Sequence, residues 1–179
     1  EALYGAMGPG TESSGGSAAN TMAGIASLGG KGAFFGKVRN DQLGGVFAHD
    51  IRAIGVSFES KAATSGPSTA RCLILVTPDA QRTMNTYLGA CVNLGPEDVD
   101  DAVVKSARVT YLEGYLWDPP RAKEAFRLTA RHAHAAGRRV TIPEGAENPI
   151  VDFINGVAQT EGKDYVLRGN EILFPREIV

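Results

Sequence analysis

A paired-glycine bend leading into a helix constrains this chain more than any other feature. The stretch is Ser13-Ser14-Gly15-Gly16-Ser17-Ala18-Ala19-Asn20-Thr21, and it runs on to Gly29-Gly30. Two glycines remove side-chain bulk, so the backbone can turn sharply and a ligand can approach it closely. Ser17 stands where a helix can start, and Ala18, Ala19, Met22, Ala23, Ile25, Ala26 and Leu28 carry that helix to the second glycine pair. A bend of this kind presents amide hydrogens and the positive end of a helix dipole. Ser17 and Asn20 add a hydroxyl and an amide, which suit a polyhydroxylated ligand. The competing reading is a plain N-capped helix behind a flexible loop.

Composition narrows the partners. With 179 residues the chain can bury one proper core. Its formal charge is −2 with both signs intermixed, so no basic footprint for nucleic acid is present. No long apolar run and no leader-like start occurs, which predicts a chain that does not engage a membrane and resides in the cytoplasm. Cys72 and Cys91 lie in apolar, strand-like surroundings and read as buried free thiols rather than a disulfide framework.

Along the chain, residues 1–14 read as loop, and no hydrophobic strand precedes the glycine bend. Gly32–Val38 reads as a short buried strand. Asn40-Asp41 offers a cap for a second helix in which Leu43, Val46, Phe47, Ile51 and Ile54 recur at helical spacing up to Gly55. Asp41 is expected to cap that helix and Asp50 to be a solvated residue on it. From Val56 the pattern changes to strands: Val56–Glu59, then Ala70–Thr77, the turn Pro78-Asp79-Ala80-Gln81, and Arg82–Tyr87. Such a two-stranded ribbon is marginal alone and must lean on something. It suits either a mobile cover over a site or an ordinary edge hairpin.

Pro96 is expected to open a third helix whose early acidic residues, Glu97, Asp98, Asp100 and Asp101, complement the dipole rather than bind metal. Arg108–Leu116 alternates as a strand. Asp118-Pro119-Pro120 starts the longest helix, with an alanine-rich stripe ending at Gly137, and Arg139–Ile142 begins another strand. His132 and His134 stand two apart, point to different sides, and make no metal pair. Strand, helix and strand in alternation imply βαβ units, hence an α/β layer domain with a parallel sheet and a projecting hairpin.

Taken in order, these blocks resemble the ribokinase-like, or PfkB, carbohydrate kinase family, nearest to its bacterial adenosine-kinase-like and sugar-kinase members. The matching residues are Gly15–Thr21; Gly36-Lys37-Val38-Arg39-Asn40-Asp41 with Gly44, Asp50 and Gly55; Arg71–Asp79; Arg82–Ala90; and Tyr111–Asp118. The match covers roughly residues 1–140. It implies a three-layer αβα fold with a parallel central sheet and a small β lid at about 56–94, incomplete relative to the family, with 141–179 an unassigned α/β continuation. It also implies ATP-dependent phosphoryl transfer to a sugar or nucleoside hydroxyl, with Mg²⁺ bridging the phosphates. By the same resemblance Gly15, Gly16, Ser17, Asn20 and Asn85 hold the small-molecule acceptor, and lid closure excludes water.

The family's Gly-Ala-Gly-Asp motif, which supplies the anion hole and the activating aspartate, has no counterpart here; the family's Asn-x-x-Glu pattern is also missing, since Asn170 is followed three places later by Leu173. Catalytic and nucleotide-binding residues are therefore unassigned, and no metal-ligating residue is expected. Glu144–Pro149 is a small-residue loop before a helix carrying Ile150, Val151, Phe153, Ile154 and Val157, and Tyr165–Leu167 with Ile172–Phe174 reads as a hairpin. The alternative to a kinase is a non-catalytic or chimeric domain that retains the substrate-binding half. Exposed edges on the lid strands predict pairing of two copies through them.

Overall fold

The structure, a computed structural model, describes residues 2–141 together with the strands Val166–Arg168 and Glu171–Leu173. The Glu144–Pro149 loop, the helix expected after it and the turn at Gly169-Asn170 lie outside the described residues. The chain divides into two units, Glu1–Cys91 and Val92–Val179.

In the first unit, the expected N-terminal loop carries a short exposed helix, α1 (Ala2–Ala6). Ala2, Leu3 and Ala6 are good helix formers, and no residue of this turn is buried. Helix α2 (Ser17–Ser27) and helix α3 (Gln42–Ala53) follow where the periodicity places them. They close on one core: Ala19, Val38, Ile51, Val56 and Phe58 are buried, with Met22, Ala26, Phe34, Phe47 and Ala48 packed against them. Phe34, Phe47 and Phe58 meet in tilted and edge-on pairs with centroids 5.5–5.8 Å apart, the arrangement that ring quadrupoles favour.

The strands expected at Gly32–Val38 and Val56–Glu59 shrink to two isolated parallel bridges, Ala33 with Ser57 and Arg39 with Ala63. Phe34 N donates to Ser57 O at 2.8 Å and Ala63 N to Val38 O at 2.8 Å. The two extended segments thus run side by side, bridged at their ends, with Gly36 N donating to Ser60 Oγ at 3.4 Å between them. Strands β1 (Arg71–Val76) and β2 (Arg82–Tyr87) form the expected antiparallel ribbon, in register from Arg71–Tyr87 to Val76–Arg82. The turn is closed by Ala80 N donating to Thr77 O and Thr77 N to Gln81 O.

In the second unit, the helix expected from Pro96 is interrupted. Pro96–Asp98 makes a single 3₁₀ turn, and α4 occupies only Asp101–Ser106. The acidic side chains cause the break, because they bond the nearby backbone: buried Asp98 accepts from Gly95 N, and exposed Asp100 accepts from the Ala102 and Val103 amides. Strand β3 (Val109–Tyr111) is likewise shorter than the alternation suggests, giving way to a 3₁₀ turn at Gly114–Leu116. Helix α5 (Pro120–Ala135) packs its Ala122, Ala125, Thr129, Ala130 and Ala133 stripe inward and leads to β4 (Arg139–Thr141). Strands β3 and β4 pair in parallel across α5, the βαβ unit that the alternation predicts. Strands β5 (Val166–Arg168) and β6 (Glu171–Leu173) pair with each other antiparallel, and β6 extends the sheet from β4.

Candidate functional site at the glycine bend

The bend sits at the N-terminus of α2. Gly16 is the cap residue with φ 110°, a conformation that L side chains rarely adopt, and it contributes no side-chain cap. Its carbonyl accepts the first intrahelical bond, from Asn20 N at 2.8 Å. The amides at the start of a helix have no partner within it, and here no capping side chain covers the approach. Gly15 is different in kind. Its φ is not in the left-handed region, and a Cβ there would meet nothing within 4 Å. Neither backbone strain nor internal packing demands glycine at that position; its absence of side chain keeps the space before α2 open. Gly15, Gly16, Ser17 and Asn20 are all exposed. What this part can do chemically is donate hydrogen bonds from a fixed backbone to hydroxyl or carbonyl oxygens, with the Asn20 amide as a further donor and acceptor.

The bend is tied down from its other side. Ser14 Oγ, just before the glycines, donates to Asp50 Oδ2 on α3 at 2.6 Å, and His49 Nδ1 lies 3.1 Å from the other carboxylate oxygen. The Ser14 bond first, and His49 second, hold the Asp50 carboxyl below the ordinary aspartate value of 3.8. Asp50, expected to be merely solvated, thus has a specific partner.

At the opposite end of α3, Asp41 is the cap, as its position before the apolar run predicts: its Oδ1 accepts from Gly44 N at 2.9 Å. The same carboxylate also receives Thr69, whose hydroxyl donates to Oδ1 at 2.6 Å and whose amide donates to Oδ2 at 2.9 Å. Thr69 Oγ1 in turn accepts from Arg39 N at 2.9 Å. Thr69 is 5% exposed and stands two residues before β1. Burial, the largest single influence, pushes the Asp41 carboxyl up; the Thr69 hydroxyl and amide, the Gly44 amide and the Arg39 charge together outweigh it, and the group is held below 3.8. Gly44 is what lets these parts meet, since a Cβ there would lie 2.0 Å from Arg39 O.

The ribbon carries the remaining sequence-predicted residue. Asn85 is exposed on β2 opposite Leu73, with its Nδ2 3.4 Å from Leu73 O. The structure therefore gathers Gly15, Gly16, Ser17 and Asn20 on one bend, while Asn85 lies on a separate element joined to α3 at its foot. Ser14, Asp50 and Thr69 were missed as parts of this arrangement. Ser14 and Asp50 are 36 positions apart, and Asp41 and Thr69 are 28 apart; no local spacing announces either pair. Among the described residues, no group of three or more histidine, cysteine, aspartate or glutamate side chains could hold a metal ion, and no helix is long and apolar enough to cross a membrane.

Comparison with known proteins gives concordant matches. The family described as "pfkB family carbohydrate kinase" matches residues 7–157. The solved structure of adenosine kinase from Sinorhizobium meliloti is 63% identical, with a TM-score of 0.75, over 79% of this chain and 43% of that one. A probable sugar kinase from Rhizobium etli is 61% identical with the same TM-score and the same coverage of both chains. An ATP-dependent ribose-1-phosphate kinase from Halopiger xanaduensis is 29% identical over 150 residues, 84% of this chain and 49% of that protein. The chain spans half or less of the length of these proteins.

Proposed function

The chain belongs to the pfkB carbohydrate kinase family and forms part of a ribokinase-like α/β fold, and from that premise we propose that it provides the acceptor side of ATP-dependent phosphoryl transfer to a hydroxyl of a nucleoside or sugar. Adenosine is the first acceptor to consider, because a relative at 63% identity is an adenosine kinase. The observation that carries the reading is Gly15. Nothing in the fold requires glycine there, yet the open space it leaves adjoins a helix start without a capping side chain.

In this reading the Gly15-Gly16 backbone, Ser17 and Asn20 bind the acceptor's hydroxyl groups, and the β1–β2 ribbon, through Asn85, covers it. Phosphoryl transfer depends mainly on alignment and on stabilising charge, so a rigid backbone cradle and a cover that excludes water are suitable parts. The described residues do not fit a metal centre of their own. Mg²⁺ and ATP therefore enter only as the co-substrate that the family relationship implies, and no step is assigned to them on this chain. A cytoplasmic setting accords with two unpaired thiols, Cys72 and Cys91. The exposed ribbon, with Ile74, Val76, Met84 and Tyr87 uncovered, supports association of two copies through its strands; light scattering at high concentration should return a dimer, and a strict monomer removes that part of the proposal.

The test is calorimetry with adenosine, ribose and fructose, followed by an ADP-release assay with ATP, Mg²⁺ and the acceptor that binds. Adenosine binding that is abolished by filling the bend, with ADP release dependent on the acceptor, is the expected result. Failure of all three acceptors to bind overturns the reading. Binding without ADP release favours the alternative of a non-catalytic domain that retains the acceptor site.

A further inference from the structure

Both bonded clusters beside the bend and the ribbon converge on one element. Helix α3 holds the bend at Asp50 and the ribbon foot at Asp41, nine residues and therefore about 13 Å apart along a single rigid rod. The bend and the ribbon foot each make side-chain hydrogen bonds to this one helix. The covalent path between them passes through extended segments that form no regular strand, paired by two isolated bridges.

The foot, by contrast, is fastened on several sides. Thr69 gives its hydroxyl and amide to Asp41 and accepts from Arg39 N, and Arg39 Nη1 donates to Gly66 O at 3.2 Å. The second leg is locked to the first, since Ala90 N donates to Ser68 O at 2.8 Å. Both legs of the ribbon thus meet at the start of α3, and the bend is fixed near its end.

We propose that α3 sets the register between ribbon and bend, with Thr69 and Ser14 as the positioning residues at its two ends. Neither needs to touch a ligand. Thr69 fixes where the ribbon pivots, Ser14 fixes the orientation of Gly15-Gly16, and the helix between them makes the two placements interdependent. Loosening one end therefore loosens the other, by the same factor in each direction because the coupling is reciprocal. The assignment deepens the proposed function by naming what aims the cover at the acceptor, but its structural half stands without any ligand.

The experiment is amide hydrogen exchange on the 179-residue chain, which reads local opening segment by segment. Thr69→Val keeps the shape and removes the hydroxyl; Thr69→Ser restores it. Ser14→Ala and Ser14→Thr make the same contrast at the other end. Thr69→Val should raise exchange about tenfold at the ribbon foot and also, several-fold, across Gly15–Asn20, with Thr69→Ser close to the parent. Ser14→Ala should do the converse.

Val56→Ala, a core truncation that removes neither the Ser14–Asp50 nor the Thr69–Asp41 bond, is the control for general destabilisation. The assignment is overturned if Thr69→Val affects only the foot, if Ser14→Ala affects only the bend, or if either reproduces the uniform pattern of Val56→Ala. A second arm adds adenosine. Protection of the ribbon by adenosine in the parent, lost in Ser14→Ala, supports the assignment, and protection retained in Ser14→Ala overturns it. No response to adenosine in the parent counts against the proposed acceptor alone, and the first arm then decides the register.

Discussion

Arg52 folds back from the end of α3 onto Phe58: its Nε and Nη2 donate to Phe58 O at 2.9 and 2.5 Å, and its guanidinium lies 5.6 Å from the centre of the same ring. One side chain thereby satisfies a carbonyl beside the most buried aromatic of the first unit, 1% exposed, and stacks on its face. Planar, forked donors are what this geometry requires.

Arg52→Met, which keeps the aliphatic stem, should lower stability by about 1.5–3 kcal/mol, the range for hydrogen bonds from charged donors. Arg52→Lys should recover less than half of that, since an ammonium cannot make both bonds. Urea midpoints measure both. Equal stability of Arg52→Lys and the parent would show that charge rather than fork geometry matters.

Asp41 links stability to pH. Its carboxyl is held below 3.8 in the fold, so the ionised form is the one the fold favours. Its contribution is complete above the unfolded value and is lost as pH falls through the lower folded one. Asp41→Asn retains an acceptor for the cap but loses one of the Thr69 bonds and the charge. It should cost about 1 kcal/mol near neutrality, and melting curves should show the gap to the parent closing as pH falls below the unfolded aspartate value of about 3.9. A gap that stays constant as the pH is lowered would remove the carboxylate from the explanation.

The two bend glycines should separate folding from binding. Gly16→Ala places a side chain at φ 110° and should cost about 1–2 kcal/mol of stability. Gly15→Ala meets nothing within 4 Å, so stability should stay within about 0.5 kcal/mol. Adenosine affinity, read by calorimetry, should nonetheless fall at least about tenfold for Gly15→Ala, because the added methyl occupies the approach to the helix start. Unchanged affinity would mean that the bend is not where the acceptor sits.

The ribbon turn contains a strained residue. Ala80 has φ 65°, the only positive value outside glycine among the described residues. Ala80→Gly should relieve that strain and stabilise the ribbon by up to about 1 kcal/mol, net of the added freedom of the unfolded chain. Slower amide exchange in Arg71–Val76 and Arg82–Tyr87 is the expected readout. Faster exchange would show that the alanine conformation is already relaxed.

The order of segments along the chain specified a good deal by itself. The glycine bend before α2, the Asp41 cap on α3, the ribbon about Pro78–Gln81, the diproline start of α5 and the β3–α5–β4 unit all follow from caps, turns and periodicity, which act over a few residues. Family membership was equally legible, because it resides in the succession of such blocks.

Tertiary structure alone decided what those blocks hold on to. Sequence reading treated Asp50 as solvated, continued a helix through Val99, and drew full strands at Gly32–Val38 and Val56–Glu59. The fold instead pairs Asp50 with Ser14, breaks the helix where Asp98 and Asp100 accept from amides two or three residues away, and leaves two isolated bridges. It also buries Thr69 against Asp41. A cap or a turn is closed by neighbours in the chain, and its residues announce it. A bond across 28 or 36 residues exists only once the core has brought its ends together, and the residues that make it carry no pattern until then.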